Sequence, residues 1–431
     1  MNNKLFEFIE KSPTAFHAVN NIKDILFSEG YEELSKGKVW ELKPNKGYFV
    51  TRNKSSLIAF RLPLGKAKGF MIGSSHSDSP CFKLKDNPVI KDNGYLRFSA
   101  ERYGGMINST WMDRPLALAG RVVVLTDNGI ETRLVDSVDP VAIIPNVAIH
   151  LNRNANENTT LNPAVDLVPL YFASESEISF AELISKLSNA SKESILSSDL
   201  YLYNPQKGVC WNDMISAPRL DDLQCVYSSL VGFLEAKLQS SIPILAVFDN
   251  EEVGSSTKQG ADSDFLYTVL NKIAYSDCCD SSVLSDLLSG SFMLSCDNGH
   301  AVHPNHPELT DKNNAVKLNG GVVIKFNSNQ KYCTDAVSAS LVKLLCKYAH
   351  IPCQEYSNRS DIPGGSTLGN IANTHISVVT ADIGLAQLAM HSAFETAGAR
   401  DTQHMIDLMK TFYSSSLTLL NDGEYHININ E

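Results

Sequence analysis

Between Leu223 and Leu234, six apolar residues (Leu223, Val226, Tyr227, Leu230, Val231 and Leu234) recur at intervals suited to one helix face, and soon after them Ile244-Leu245-Ala246-Val247-Phe248 runs apolar without a break. The first pattern is a helical stripe and the second a strand buried on both faces. A strand with no polar face must be covered on both sides, which confines the chain to layered α/β architectures. The alternation recurs: Val337, Leu341, Leu344, Leu345 and Tyr348 form another stripe, and Met405, Leu408, Met409 and Phe412 a last one. Near the start, Phe16, Val19, Ile22 and Leu26 follow Ser12-Pro13-Thr14 at helical spacing, and Gly30 is placed to end that helix. Leu57-Ile58-Ala59-Phe60 and Phe70-Met71-Ile72 supply compatible strands.

From about Asp86 to Asn212 the texture changes. Short β-rich segments such as Arg121-Val122-Val123-Val124-Leu125 and Val141-Ala142-Ile143-Ile144 dominate, and Asn152 to Asn162 reads as an exposed polar loop. The expected organisation is therefore discontinuous. Residues 1–85 and 213–431 form one α/β domain built on a mixed sheet, and residues 86–212 form an inserted, mostly β domain.

Charge and composition narrow the function. A formal net charge of -11 argues against a partner held through nucleic-acid phosphates. No apolar stretch approaches the roughly 20 residues of a membrane span, and Met1-Asn2-Asn3-Lys4-Leu5-Phe6 lacks the features of a secretion signal. The nine cysteines are scattered without a repeated spacing, which fits reduced thiols and a cytoplasmic location.

Four polar groups follow apolar runs. His76-Ser77-Asp78 comes after Phe70-Met71-Ile72-Gly73, Asp249-Asn250-Glu251-Glu252 after Phe248, and Asp297 after Phe292-Met293-Leu294-Ser295-Cys296. His391 lies beyond Ile376-Ser377-Val378-Val379 and Gln387-Leu388-Ala389-Met390. In an open α/β sheet, ligands gather beyond the carboxyl ends of strands, so these groups are expected to converge. Histidine with carboxylates is a normal donor set for zinc, and two ions can share a carboxylate and clamp a tetrahedral intermediate. In His-x-Asp the aspartate can accept the second imidazole N–H. Of two adjacent glutamates, one can bind metal while the other moves protons. Each signal has an ordinary counterpart, since His-x-Asp is common in loops and an aspartate after a strand is a common helix cap. Their coincidence is what points to a metal site.

The string Ser75-His76-Ser77-Asp78-Ser79-Pro80-Cys81 resembles the His-[Ser/Thr]-Asp-Ser-Pro motif of the M18 metallopeptidases, the aspartyl aminopeptidase family. Tyr103-Gly104-Gly105, Ser109-Thr110-Trp111-Met112-Asp113-Arg114 and Ala148-Ile149-His150-Leu151 continue the match. They are followed in family order by Arg219-Leu220-Asp221-Asp222-Leu223, Phe248-Asp249-Asn250-Glu251-Glu252-Val253-Gly254, His300-Ala301-Val302-His303-Pro304-Asn305 and Gln387-Leu388-Ala389-Met390-His391-Ser392. The resemblance implies two divalent ions per subunit, zinc with manganese or cobalt as alternatives. His76, Asp221 and Asp297 would hold one ion, and Asp221, Glu252 and His391 the other. It is the family motif, not the spacing, that selects Asp221 over Asp222. Glu251 would be the general base, Asp78 the partner of His76, and His150 would reach a neighbouring subunit's site. Lys325, within Val322-Val323-Ile324-Lys325-Phe326-Asn327, would set a preference for acidic N-terminal residues, with His303 and Tyr332 lining the same pocket and Met390 also binding substrate. The inserted domain would dimerise, and dimers would build a dodecamer acting on peptides.

One loop departs from the pattern. Better-known eukaryotic members have Asp-Ser-Pro-Cys-Gly-Ser-Thr where this chain has Asp361-Ile362-Pro363-Gly364-Gly365-Ser366-Thr367, and the segment after His306 is short. The alternatives are a related two-metal exopeptidase of different specificity, or a non-catalytic scaffold. A scaffold would be expected to lose Glu251 or a ligand, and all are present.

Overall fold

The computed structural model describes residues 1–35, 37–157, 160–173, 179–276, 278–279 and 281–429. Thirteen strands among them form one mixed sheet. At its centre Ser241–Phe248, Gly69–His76, Phe292–Cys296 and Val379–Leu388 lie parallel in that spatial order. Their register sets Phe248 beside His76 and Cys296 beside Ile383, so the chain leaves three neighbouring strands at the same edge. The antiparallel hairpin of Gly47–Arg52 and Ser56–Arg61 extends one side. Glu395–Gly398, Met214–Ala217 and Val209–Trp211 extend the other.

The central strands are buried on both faces, and alternate residues feed two separate cores. Leu57, Ala59, Leu245 and Val247 pack with the helices Asn2–Glu10, Ala15–Ser28, Leu220–Glu235, Ala336–Tyr348 and Asp401–Tyr413. Ile58, Phe60, Ile244, Ala246 and Phe248 pack with Phe265–Ala274, Leu284–Ser289 and Leu368–Ile376 on the opposite face. This is the period-2 alternation of a sheet between two helical layers. The helix Leu220–Glu235 fits tightly because Gly232 meets the helix Asp401–Tyr413, where a Cβ would stand 2.6 Å from Met409 Cβ.

A second sheet of seven strands comprises Cys81–Asp92, Tyr95–Tyr103, Pro115–Thr126, Gly129–Asp136, Ala142–Ile143, Leu170–Phe172 and Ile195–Tyr203. Pairing of Ile195–Tyr203 with both Cys81–Asp92 and Pro115–Thr126 closes it on itself, around a core that includes Phe82, Phe98, Trp111, Leu118 and Val122. The helix Phe180–Ser188, started by a Ser179–Glu182 capping box, adds Ile184 to that core. Arg121 ties this barrel to the layered part: Nε donates to Asp199 Oδ2 at 2.9 Å, Nη1 donates to the Asn53 carbonyl at 2.8 Å, and the guanidinium lies 4.2 Å from the Phe16 ring centre.

The expected boundary at 86 falls inside the strand Cys81–Asp92, and the one at 212 falls just after Val209–Trp211. The barrel's first strand already starts at Cys81, because Cys81 to Leu84 pair with Tyr103 to Ala100, and Val209–Trp211 belongs to the large sheet. The run Ile376-Ser377-Val378-Val379 also differs from a strand. Ile376 ends a helix, Ser377 turns the chain at φ 44°, and the strand begins at Val379. Four apolar or small residues are too few for periodicity to separate a helix end from a strand start. The polar stretch from Asn152 to Asn162 is a series of turns where it is described; Asn158 and Thr159 lie outside the described residues. No helix among the described residues is long and apolar enough to cross a membrane.

Candidate metal centre

Three loops at the carboxyl edge of the parallel strands, together with the start of the helix Leu220–Glu235 and a turn after Val379–Leu388, bring carboxylates and imidazoles together. His76 ends its strand and is 1% exposed. Asp297 directly follows Phe292–Cys296, and its N–H donates to the Ile383 carbonyl at 3.0 Å. Glu251 and Glu252 open a short 3-10 turn after Asn250, whose φ is 64°. Asp221 and Asp222 sit in a non-helical kink at the start of their helix, preceded by Arg219 at φ 56°. His391 stands at φ 65° in the turn three residues beyond Leu388.

Asp221 lies between the two histidines. Its Oδ1 is 3.5 Å from His76 Nε2 and its Oδ2 is 3.4 Å from His391 Nε2. Asp297 Oδ1 is 4.0 Å from His76 Nε2, and Glu252 Oε2 is 3.5 Å from His391 Nε2. One atom each from His76, Asp221, Asp222 and Asp297 lies within 4.8 Å of the others, and the same holds for Asp221, Glu252 and His391, and for His76, Glu251 and Glu252. These separations are long for hydrogen bonds. They are the spacing expected of ligands sharing an ion, since two atoms each about 2.0–2.1 Å from a tetrahedral zinc stand about 3.4 Å apart.

The imidazoles are oriented from behind. His76 Nδ1 faces the Asp78 carbonyl at 3.1 Å, and His391 Nδ1 faces the Gly105 carbonyl at 2.8 Å. A carbonyl can only accept, so each Nδ1 carries a proton and each Nε2 is the nitrogen turned toward the cluster. Asp78 therefore orients His76 chiefly through its main chain, its Oδ1 being farther away at 3.4 Å. The Asp78 carboxylate has another use: it accepts from Tyr103 Oη at 2.8 Å and from the N–H groups of Glu251 and Glu252 at 3.2 and 3.1 Å. It thus pins the glutamate turn to the histidine loop.

The electrostatics call for cations. Glu252 Oε1 and Asp222 Oδ1 are buried without a hydrogen-bond partner, a costly condition for a carboxylate. Burial, reinforced by Asp221, pushes the Glu252 carboxyl well up, burial does the same to Asp222, and it raises Asp297 against the pull of Lys325. Burial also raises Glu251 to about 8, with Asp297, Asp78 and Asp221 adding to it against the pull of His76. Asp221 goes the other way: burial is outweighed by His391 and His76, which hold it below the usual carboxylate range. Burial alone would lower His391, but Asp221 and Glu252 raise it to about 10. Without metal, protons must occupy this cluster. The donor set of imidazole nitrogens and carboxylate oxygens fits zinc, with manganese and cobalt as neighbours in preference.

The remaining candidates are distributed differently. Lys325 is 1% exposed on Val322–Phe326, a strand flanked on both sides, and its Nζ donates to the carbonyls of Asp297 at 2.7 Å and Asn298 at 3.3 Å. Its Nζ is also 3.6 Å from Asp297 Oδ2 and 5.1 Å from the centre of the buried Tyr332 ring. Met390 is half-buried immediately before His391, and His303 is exposed, its Nδ1 accepting from Asn305 N–H. His150 lies in an exposed turn of the barrel domain and joins none of these clusters within its own chain.

Two participants escaped the sequence reading. The Gly105 carbonyl brings the barrel domain to His391, although Tyr103-Gly104-Gly105 was visible as a motif. Glu395 is 2% exposed; burial and Asp221 raise its carboxyl to about 8, and it accepts from the N–H groups of both Asp221 and His391. An isolated glutamate among small and apolar neighbours carries no signal of such a role.

Fold and site together have the form of a metallohydrolase with a layered α/β core. The family model for aminopeptidase I zinc metalloproteases (M18) matches residues 8–413. The probable M18 family aminopeptidase 2 of Clostridium novyi is 42% identical over 424 residues, covering 96% of this chain and 98% of that protein. Its counterpart in Pseudomonas aeruginosa is 38% identical over 429 residues, covering 96% and 98%. Among solved structures, Ape4 in a complex with Nbr1 superposes with a TM-score of 0.91 at 33% identity, covering 95% of this chain and 85% of that one. The yeast mApe1 dodecamer superposes with a TM-score of 0.84 at 26% identity, covering 95% of each chain. The chain belongs to the M18 family of zinc metallopeptidases.

The proton inventory gives a pH dependence. Glu251 and His391 have folded pKa values raised above their ordinary 4.5 and 6.5, to about 8 and about 10. The stability they contribute to metal-free protein is complete below the ordinary values and is lost as pH rises through the folded ones. An ion taken up at His391 would displace its proton, so affinity would grow with pH over the same window. The gap in melting temperature between zinc-loaded and chelator-treated protein should widen from about pH 6 to about pH 9. A gap that stays constant or narrows would contradict the protonation states described here.

Proposed function

We propose that this protein is a two-metal aminopeptidase that removes single N-terminal residues from peptides, with aspartate and glutamate preferred. The observation that carries this reading is the Asp221 carboxylate lying 3.5 and 3.4 Å from two oriented histidines, with Glu251 in the same cluster. His76, Asp221 and Asp297 would hold one divalent ion, and Asp221, Glu252 and His391 the other. When bound, such ions acidify water and polarise a carbonyl.

Glu251 is the group suited to move the proton. It shares the cluster but is not needed as a ligand, which leaves its carboxylate free to accept a proton and give it back. It would take the proton of the attacking water and deliver it to the departing amine. A site this rich in carboxylates favours the free α-ammonium of a peptide, which restricts cleavage to the first residue. Asp78 would keep the glutamate turn and His76 in fixed relation, its carboxylate accepting from Tyr103, Glu251 and Glu252 and its carbonyl from His76.

Lys325 supports the acidic preference. An ammonium has three N–H donors; the Asp297 and Asn298 carbonyls take two, and the third, 3.6 Å from Asp297 Oδ2, would be shared with a substrate carboxylate. The same lysine also steadies Asp297, so its removal touches both specificity and the metal site. Tyr332, against Lys325, would form the wall of that pocket, with Met390 and His303 farther along it.

His150 is exposed and joins no cluster in its own chain, which supports a role in a neighbouring subunit of a homo-oligomer. The dodecamer named for yeast mApe1 is the assembly proposed here, built from dimers through the barrel domain. The scattered cysteines noted above support a cytoplasmic location.

Two substitutions test the reading. Glu251→Gln should lower kcat by at least about 10²–10⁴-fold while metal content per chain stays near wild type. Turnover within a few-fold of wild type would remove Glu251 from the proton path. Lys325→Met should lower kcat/KM for N-terminal aspartate and glutamate by about a hundredfold, and much less for alanine or leucine. An equal loss on acidic and neutral substrates would mean that Lys325 acts only by steadying Asp297.

A further inference from the structure

Asp221 and His391 reach the cluster from different parts of the chain, and one buried side chain accepts from the main chain of both. Glu395 begins Glu395–Gly398, a strand paired antiparallel with Met214–Ala217 so that Glu395 lies opposite Ala217, and is 2% exposed. Its Oε2 accepts from Asp221 N–H at 3.0 Å, and its Oε1 accepts from His391 N–H at 2.7 Å.

Both amides belong to irregular backbone. Asp221 breaks the helix at φ -82°, ψ 110°, just after Arg219 at φ 56°. His391 itself has φ 65°, with Ala389 at φ 55° in the same turn. Left-handed conformations are disfavoured for residues with a Cβ and persist where surrounding contacts over-determine them. Neither amide can be satisfied by regular secondary structure here, and Glu395 satisfies both.

We infer that Glu395 is a positioning residue: its single carboxylate fixes Asp221 and His391 relative to each other, so that both are set for metal before any ion arrives. The inference rests on the ligand assignment proposed above. A glutamine would keep the size of the side chain but turn one acceptor into an NH2 donor facing an N–H, so one of the two ties must break. Supporting residues of this kind affect metal affinity by about 10–100-fold.

The test compares wild type, Glu395→Gln and His391→Ala by zinc competition against a chromophoric chelator, with melting curves recorded in zinc and in chelator. Glu395→Gln should weaken zinc binding by about 10–100-fold, and its stabilisation by zinc should shrink while its melting in chelator stays near wild type. Wild-type zinc affinity in Glu395→Gln would overturn the inference. So would an equal drop in melting temperature with and without zinc, the mark of a purely structural role. If His391→Ala retained wild-type affinity, the ligand assignment itself would fall, a result separable from the first two. Should Glu395→Gln not fold, Glu395→Asp supplies the same readout. It keeps the charge but is too short to span both amides, so its zinc affinity should fall, and unchanged affinity would again overturn the inference.

Discussion

Asp221 faces an imidazole with each of its carboxylate oxygens, and the rest of the structure is organised around keeping it there, 4% exposed in its side chain. A carboxylate taken out of water this completely needs compensation from charge or hydrogen bonds. The histidines supply part of it, but Asp222, Asp297, Glu251 and Glu252 crowd the same space and add more negative charge than His76, His391 and Lys325 offset. An arrangement of this kind is stable only with protons or cations in it, which links the electrostatics of the core to the chemistry of the family.

The fold meets this demand through register. Parallel strands place His76 beside Phe248, so the histidine loop and the glutamate turn leave the sheet side by side, and Asp78 joins them with a carboxylate that accepts from Tyr103, Glu251 and Glu252. Tyr103 and Gly105 come from the barrel domain, so that domain braces the site even within a single chain. On the opposite side Lys325 holds Asp297 by its main-chain carbonyl. The cluster is therefore supported from the layered core, from the barrel and from beneath.

Much of this was legible in the sequence because it depends on local pattern. The apolar runs 244–248 and 57–60 are strands, the stripes 223–234 and 405–412 are helices, and the layering follows from strands with no polar face. The convergence of His76, Glu251, Glu252, Asp297 and His391 follows from their positions after apolar runs. What was not legible depends on pairings between distant segments. Nothing in the residues around 195–203 announces that this strand closes a barrel by pairing with 115–126. Adjacent Asp221 and Asp222 look alike in sequence, and they separate only when His76 N–H goes to Asp222 and the two imidazole rings go to Asp221. Lys325 reads as a lone charge in a strand, and only the fold brings two carbonyls to its ammonium.

The central claim is that two ions share Asp221. Anomalous X-ray diffraction at the zinc edge, from crystals grown with zinc, tests it directly. The account predicts two peaks per subunit roughly 3.5–4 Å apart, one among His76, Asp221 and Asp297 and the other among Asp221, Glu252 and His391. A single peak, or two peaks of which only one touches Asp221, would contradict it.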